Sequence, residues 1–435
     1  MTTVPVEWRT FESRVGTHVL VLRGSQILDV PAEDVGQLTD SALSDYLDAG
    51  DRLNLGAVPS VAPQNLSLNV TSACNLACDY CYADRGSFEG AQTGAMSAST
   101  AEEAVESLLA GCERRSFATI GFLGGEPFLH RRLIHHVVDF TARRAAELGQ
   151  PVGFSVTTNA TMLEATDLDL LRSHRFAVTV SLDGGRAVHD RRRIRLAGQG
   201  SWDDAMSGIR PLLADPGLAQ VTARATLTRD DLDLVGRHDA LAAEGFRSIG
   251  FAPVRVGAGA LGDDEWPRWL AASVALGERE LDVIRGGGDT TFDNFSVALR
   301  RLEAGSSSPY PCGAGGGYAS VSTAGQWYAC HRAIGDDDYL LGDLDGDGDG
   351  RAPVDPARQQ RFLEAHHVER VEPCRSCWAR YLCSGGCHQE ADTRTDAACD
   401  AIRGWLEFCL DAYCVVSSER ADYFERAGHF ERGGA

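Results

Sequence analysis

Cys74-Asn75-Leu76-Ala77-Cys78-Asp79-Tyr80-Cys81-Tyr82 puts three cysteines in a CxxxCxxC spacing just after Leu66-Ser67-Leu68-Asn69-Val70. The earlier run alternates apolar and polar residues, the period of a strand. The cysteines therefore lie on the loop leaving that strand's C-terminal end. Three thiolates so close in sequence can wrap one iron–sulfur cube, and such cubes usually take four. The local set is one short, so either a distant cysteine completes it or one iron stays open for a ligand. Taken alone, the spacing has two rival readings: a structural zinc site, which wants two matching ligand pairs, and buried free cysteines.

Outward from this stretch the chain alternates strand and helix patterns. Strands are predicted at 66–71, 118–123, 152–157, 176–182, 220–227 and 248–253, with helices at 98–113, 130–148, 161–174, 203–214 and 231–243. Six such repeats imply an α/β fold with a parallel sheet, a partial (β/α)6 TIM-like barrel. In such barrels chemistry gathers at the strands' C-terminal ends, and the remaining motifs fall there. Gly124-Gly125-Glu126-Pro127 follows the apolar Ile120-Gly121-Phe122-Leu123; its glycines let backbone approach a ligand closely, and Glu126 supplies a carboxylate. Thr157-Thr158-Asn159 ends the third strand and Ser181-Leu182-Asp183-Gly184 the fourth, placing small polar groups at the barrel mouth. Asp183 reads as an acid/base group or as a turn cap. Arg191, Arg192, Arg193 and Arg195 form a crowded basic run, whose ordinary reading is a solvated face.

At these motifs the sequence resembles the radical S-adenosylmethionine (SAM) enzymes. Cys74, Cys78, Cys81, the aromatic Tyr80 and the following Tyr82 match that family's signature. The resemblance implies a [4Fe–4S] cluster whose unique iron chelates SAM, and reductive cleavage to a 5′-deoxyadenosyl radical. Gly124, Gly125, Glu126 and Pro127 match a motif that meets the SAM amino group. Tyr80, Asn159, Ser181 and Arg193 are the further cofactor-contact candidates, Ser181 near the ribose or carboxylate and Arg193 near the carboxylate. An external donor of flavodoxin or ferredoxin type is implied as the electron source.

Residues 257–308, broken by Gly286-Gly287-Gly288 and ending at Gly305-Ser306-Ser307-Ser308-Pro309, read as a linker with helices at 265–284 and 293–304. Beyond it, Cys312, Cys330 and then Cys374, Cys377, Cys383 and Cys387 in a CxxCxxxxxCxxxC run, followed by Cys399, Cys409 and Cys414, resemble the SPASM extension of peptide-modifying radical enzymes. The resemblance implies two auxiliary [4Fe–4S] clusters, three in all. Cys312, Cys330 and Cys387 would hold the nearer cluster, and Cys374, Cys377, Cys383 and Cys399 the farther one. The nearer set shows only three ligands, since Gly313 to Gly317 offers no extra cysteine. Cys409 competes with Cys399 for the last far position; Cys399 is preferred because it sits at a helix start. A pair of zinc sites is the bland reading of this region. Asp343-Leu344-Asp345-Gly346-Asp347-Gly348-Asp349-Gly350 imitates a calcium loop, but the twelfth position counted from Asp343 is Val354 rather than Glu, so it reads as an acidic surface loop.

Residues 1–63 form a first unit. Thr17-His18-Val19-Leu20-Val21-Leu22 and Gln26-Ile27-Leu28-Asp29-Val30 predict a hairpin, and Pro31-Ala32-Glu33-Asp34 opens a helix. The unit resembles the small leader-recognition modules of ribosomal-peptide maturases, which add a peptide to a sheet edge; a simple cap on the barrel is the alternative. The expected domains are thus 1–63, 64–256 (barrel), 257–308 (linker) and 309–435 (SPASM). The formal charge of −21, from 62 acidic against 41 basic residues, argues against nonspecific binding to nucleic acid or anionic membrane but leaves room for a basic peptide. With no apolar run of membrane-spanning length and no signal-peptide pattern, the expected compartment is the cytoplasm. There, 13 clustered cysteines favour metal or cluster ligation over disulfides. The function expected is crosslinking of a precursor peptide (carbon–carbon, ether or thioether). The alternatives are an anaerobic sulfatase-maturing enzyme that makes formylglycine and a non-catalytic zinc scaffold.

Overall fold

The computed structural model describes residues 7–31, 33–39, 43, 62–88, 90–91, 94–113, 116–218, 220–344 and 353–426. It divides into two compact units. One comprises residues 58–261 and 313–364, the other 1–57, 262–312 and 365–435. Residues 313–364, expected in the C-terminal domain, group with the barrel.

The barrel unit is built on a nine-stranded sheet. Its parallel core is β4 (Asn65–Asn69), β5 (Ala118–Leu123), β6 (Val152–Thr158), β7 (Ala177–Ser181), β8 (Gln220–Leu227) and β9 (Ile249–Pro253), neighbours in chain order. Parallel neighbours need crossover connections, and six helices serve the five of them: α1 (Ala98–Gly111), α2 (Arg131–Leu148), α3 (Ala165–Ser173), then α4 (Arg186–Arg192) with α5 (Trp202–Leu213), and α6 (Leu234–Ala243). The strands read as apolar because they are covered: Leu68, Ile120, Phe122, Val180 and Ala225 are fully buried. In α1, Ala101, Ala104, Val105 and Leu108 form the buried stripe, and the Ser97 side chain caps the start by accepting from Thr100 N. The helices expected at 161–174 and 231–243 begin later, at Ala165 and Leu234. Asp167 accepts from Glu164 N at 2.9 Å and Asp233 from Gly236 N at 2.9 Å, fixing both starts.

Three strands of this sheet were not anticipated. β10 (Tyr318–Val321) pairs parallel to β4, with Tyr318 opposite Asn65 and Val321 opposite Leu68. β11 (Gln326–Tyr328) and β12 (Leu340–Asp343) follow antiparallel, giving the order β12-β11-β10-β4-β5-β6-β7-β8-β9.

In the other unit β1 (Trp8–Ser13), β2 (Gly16–Val21) and β3 (Gln26–Asp29) form an antiparallel sheet, one strand more than the expected hairpin. Val19, Val21 and Leu43 make its buried cluster, packed by Trp8, Leu28, Val30 and Leu38. Where a helix was expected from Pro31, the described residues hold a 3-10 turn at Val35–Gln37, and Leu43 is helical; residues 40–42 and 44–61 lie outside the description. Three helices form the body: α7 (Glu265–Arg285), α8 (Asp293–Ala304) and the long α11 (Asp396–Glu419). They meet through Phe292, Phe295, Trp405 and Phe408, whose ring centroids lie 5.4–6.2 Å apart. Before α11 the chain makes the short α10 (Arg380–Cys383). α9 (Pro356–Ala365) ends the 313–364 segment.

Candidate functional site

The cysteine loop is fastened to the ends of its neighbouring strands. Val70 N donates to Leu123 O at 2.9 Å, Gly125 N to Thr71 O at 2.9 Å and Glu126 N to Ala73 O at 2.8 Å, so the Gly-Gly-Glu segment runs alongside the approach to Cys74. A Cβ on Gly124 (φ +145°) would lie 2.5 Å from Thr71 O, and one on Gly125 would lie 2.1 Å from Ala73 O. The glycines are needed for close approach of the protein's own backbone, a different reason from the ligand approach expected from sequence. On its far side the loop is held by Ala77 N, which donates to Ile194 O at 2.7 Å.

Glu126 is 1% exposed. Its Oε1 accepts from Thr158 Oγ1 (2.6 Å) and Phe128 N (3.2 Å), and its Oε2 from Asn159 N (2.7 Å). Burial pushes its pKa up to about 7 against these hydrogen bonds, which favour the charged form. Pro127 starts the 3-10 turn that Glu126 caps. Asn159 bridges onward: Nδ2 reaches Asn75 Oδ1 at 3.0 Å and Cys74 Sγ at 3.9 Å, while Oδ1 accepts from Thr161. Thr158, Asn75 and Thr161 thus join the site. Of these Asn75 and Thr158 stood in quoted motifs, though neither was singled out, and Thr161 did not.

Asp183, 2% exposed, is a hub. Oδ1 accepts from Thr226 N at 3.0 Å, and Oδ2 takes the Tyr80 hydroxyl and lies 3.1 Å from Arg193 Nε. The structure separates the crowded arginines. Arg193 is buried, over the Tyr80 ring at 5.4 Å, with Nη1 4.0 Å from Cys78 Sγ. Arg191, Arg192 and Arg195 pair with Asp231, Asp79 with Asp230, and Asp204. Burial alone would pull the Arg193 pKa down; Asp183, Tyr80 and Cys78 together offset it and the net shift is upward. Ser201, held by His189 at 2.9 Å, donates to Arg193 O at 2.6 Å and fixes that backbone. Ser181 ends β7, paired with Arg224 of β8.

Several donors point at the three sulfurs. Leu76 N lies 3.5 Å from Cys74 Sγ and Arg85 N 3.4 Å from Cys81 Sγ, in addition to Asn159 and Arg193. Burial pushes the Cys74 thiol up to about 12 and also raises Cys78. Thiols this reluctant to ionise alone, yet ringed by N–H donors, fit iron ligands: the metal displaces the proton and the donors then face thiolate sulfur. Among the described residues no three His, Cys, Asp or Glu side chains form a ready cage for one bare ion. The same unit adds Cys330, just after β11, whose Sγ accepts from Arg332 N at 3.4 Å. There Tyr82 faces His331 edge-on at 6.3 Å and lies under Arg332 at 4.9 Å.

The other unit holds a second cysteine set. Cys374, Cys377, Cys383 and Cys399 line one pocket together with Arg394 and Arg403. Cys377 N donates to Cys374 O at 2.9 Å, and left-handed Ser384, Gly385 and Gly386 turn the chain after Cys383. Cys399 lies in the first turn of α11 and lines the pocket, whereas Cys409 and Cys414 are buried farther along the same helix. Four thiols of one pocket match the donor set of a cube. Cys312 and Cys387 belong to this unit and Cys330 to the barrel unit.

Residues 68–214 match the Radical SAM superfamily. With Cys74, Cys78, Cys81 and Glu126 at the strand ends where that chemistry sits, residues 68–214 carry a radical SAM domain, a kind of domain that binds a [4Fe–4S] cluster and SAM, and the chain is an enzyme. It is 28% identical over 339 residues to the mycofactocin maturase MftC of Mycolicibacterium smegmatis, 75% of this chain and 78% of that one. It is 26% identical over 326 residues to the serine-type anaerobic sulfatase-maturating enzyme of Klebsiella aerogenes, 72% of this chain and 77% of that one. Among solved structures, anSMEcpe with bound AdoMet superposes with a TM-score of 0.67 at 18% identity, covering 82% of this chain and 100% of its own. Streptococcus suis SuiB bound to precursor peptide SuiA gives 0.51 at 12% identity, covering 90% and 97%. These two likenesses concern the fold. The non-catalytic zinc scaffold reading falls with the enzyme assignment. No described helix is long and apolar enough to cross a membrane.

Proposed function

We propose that this enzyme matures a ribosomally made precursor peptide by installing an intramolecular crosslink, carbon–carbon, ether or thioether. When bound, SAM and the first cluster supply a hydrogen-abstracting 5′-deoxyadenosyl radical, and auxiliary clusters offer a sink for the electron that bond formation releases. The observation that carries the reading is the pocket of Cys374, Cys377, Cys383 and Cys399, a second cluster-type donor set in a chain that already has one. The nearer set expected from sequence, Cys312, Cys330 and Cys387, would bring the total to three clusters. An external flavodoxin- or ferredoxin-type donor would feed them.

In this reading Cys74, Cys78 and Cys81 hold the first cluster. The Gly124–Glu126 backbone, Asn159, Ser181 and Arg193 bound the space for SAM. Tyr80 and Asp183 position Arg193; with partners on both oxygens, Asp183 serves as an anchor in place of the acid/base role expected. Among the described residues the sheet order β1-β2-β3 leaves outer edges on β1 and β3, the kind of surface that takes up a leader as an added strand.

A second reading, formylglycine formation, is favoured by the sulfatase-maturating relative and by the 0.67 TM-score to anSMEcpe. Mass alone does not separate them, because a serine oxidised to formylglycine also loses two hydrogens. The test is anaerobic reaction of the reconstituted enzyme with SAM, reductant and the short peptide encoded beside its gene. Loss of two hydrogens, a gap in backbone fragmentation between the joined residues and no reaction with a hydrazide support crosslinking. A hydrazide-reactive product from a sulfatase-type peptide, with the neighbouring peptide unchanged, overturns it in favour of the second reading.

A further inference from the structure

Three arginines, Arg380, Arg394 and Arg403, line the pocket of Cys374, Cys377, Cys383 and Cys399. Two of them are neutralised: Arg380 pairs with Glu7 and Arg403 with Asp400. Arg394 has no ion-pair partner among the described residues. Its Nη1 donates to Cys374 Sγ at 3.5 Å, and its guanidinium rests over Gly386, where a Cβ would come within 3.4 Å of Nη2. Gly386 holds φ +69°, so the seat under the guanidinium is shaped by a residue without a side chain.

The first cysteine set is arranged differently. Its arginine, Arg193, also approaches a ligand sulfur, at 4.0 Å from Cys78, but carries Asp183 at 3.1 Å. Cation and anion there nearly cancel at the cluster position, whereas at the second pocket Arg394 stands against the Cys374 sulfur without an ion-pair partner among the described residues, and Glu372 acts on the same sulfur more weakly than Arg394 does. Reducing an iron–sulfur cube adds a negative charge, and N–H···S hydrogen bonds and nearby cations stabilise the reduced form. Both levers act through Arg394; Arg403 also reaches the Cys377 sulfur, but with Asp400 paired to it.

We propose that Arg394 is a potential-setting residue: it raises the reduction potential of the cluster held by Cys374, Cys377, Cys383 and Cys399, making that cluster the easier one to reduce. The inference rests on the auxiliary-cluster reading of that pocket. It assigns the pocket the acceptor end of electron flow and leaves the SAM-side cluster, beside a charge-compensated arginine, as the stronger reductant.

The experiment uses full-length protein in which Cys74, Cys78 and Cys81 are all replaced by alanine, so that the SAM-side signal is gone. Iron and sulfide are counted, and the reduced clusters are followed by electron paramagnetic resonance through a dye-mediated redox titration. Arg394→Gln is expected to keep the parent iron content and move one couple to lower potential. Arg394→Lys, which keeps the charge, should restore much of the shift, a rescue that a merely structural contact would not give. Unmoved couples at full iron content overturn the proposal. Iron lost from Arg394→Gln and kept in Arg394→Lys also overturns it, by making the residue a holder of the cluster rather than a tuner. Cys383→Ala in the same background separates the two levels. If it fails to lower the iron count by about four, the cluster reading of the pocket is at fault, whatever Arg394 does.

Discussion

Gly125→Ala tests the packing of the cysteine loop with a single methyl group. The new Cβ would sit 2.1 Å from Ala73 O, 2.5 Å from Ala73 C and 2.5 Å from Arg85 O, all backbone atoms that no rotamer change can move. Reaching the 3.0 Å that marks the lower limit of real Cβ contacts requires a displacement of about 0.9 Å from Ala73, the residue before Cys74. Such overpacking costs typically about 1–3 kcal/mol. The functional cost should exceed the stability cost. The hydrogen bond from Glu126 N to Ala73 O spans the same gap, and misplacement of reacting groups by about 1 Å can cost ~100-fold in rate. The assay pairs denaturant unfolding of the reconstituted protein with anaerobic release of 5′-deoxyadenosine. The expected outcome is a modest fall in unfolding free energy, iron content near that of the parent and deoxyadenosine formation slowed by about two orders of magnitude. A variant that releases deoxyadenosine at the parent rate would refute the claim that these glycines hold the loop in register.

Cys78→Ala should abolish deoxyadenosine formation, since a cube deprived of a local thiolate has no stable seat; chromatography of the quenched reaction checks this. Cys383→Ala should keep some deoxyadenosine release while stopping formation of mature peptide, seen by mass spectrometry of the substrate. Asp183→Asn leaves Arg193 buried beside a neutral partner, and breaking a buried pair from one side costs about 3–5 kcal/mol. Equilibrium unfolding should show the loss, whereas Asp203→Asn, which removes the exposed partner of Arg186, should leave the unfolding midpoint unchanged.

The barrel was legible because parallel strands covered on both faces must be apolar runs, and because runs such as Ile120–Leu123 end at residues with functional chemistry. The added strands were not, for a physical reason: β10, β11 and β12 are three or four residues long, too short for a period to show, and β10 finds its partner in β4, some 250 positions earlier. The cysteines announce themselves by spacing, and Cys399 by its place at a helix start. The choice among Arg191, Arg192, Arg193 and Arg195 could not be made from sequence, since all four are cations in one run and only the fold buries one of them against Asp183. Arg394 carried no local signal either, its sulfur partner lying 20 residues upstream.

The pairing of β10 with β4 has a practical consequence for anyone wishing to dissect this enzyme. A half-closed barrel leaves a raw flank at its first strand, and here residues from beyond position 312 supply the bandage. A fragment cut off at residue 261 would bare the backbone of Asn65–Asn69 as a sticky template for other copies. It should therefore precipitate rather than survive as a minimal catalyst. Swapping C-terminal extensions between relatives meets the same obstacle, because the transplant must bring along a strand that zips onto the recipient's own β4.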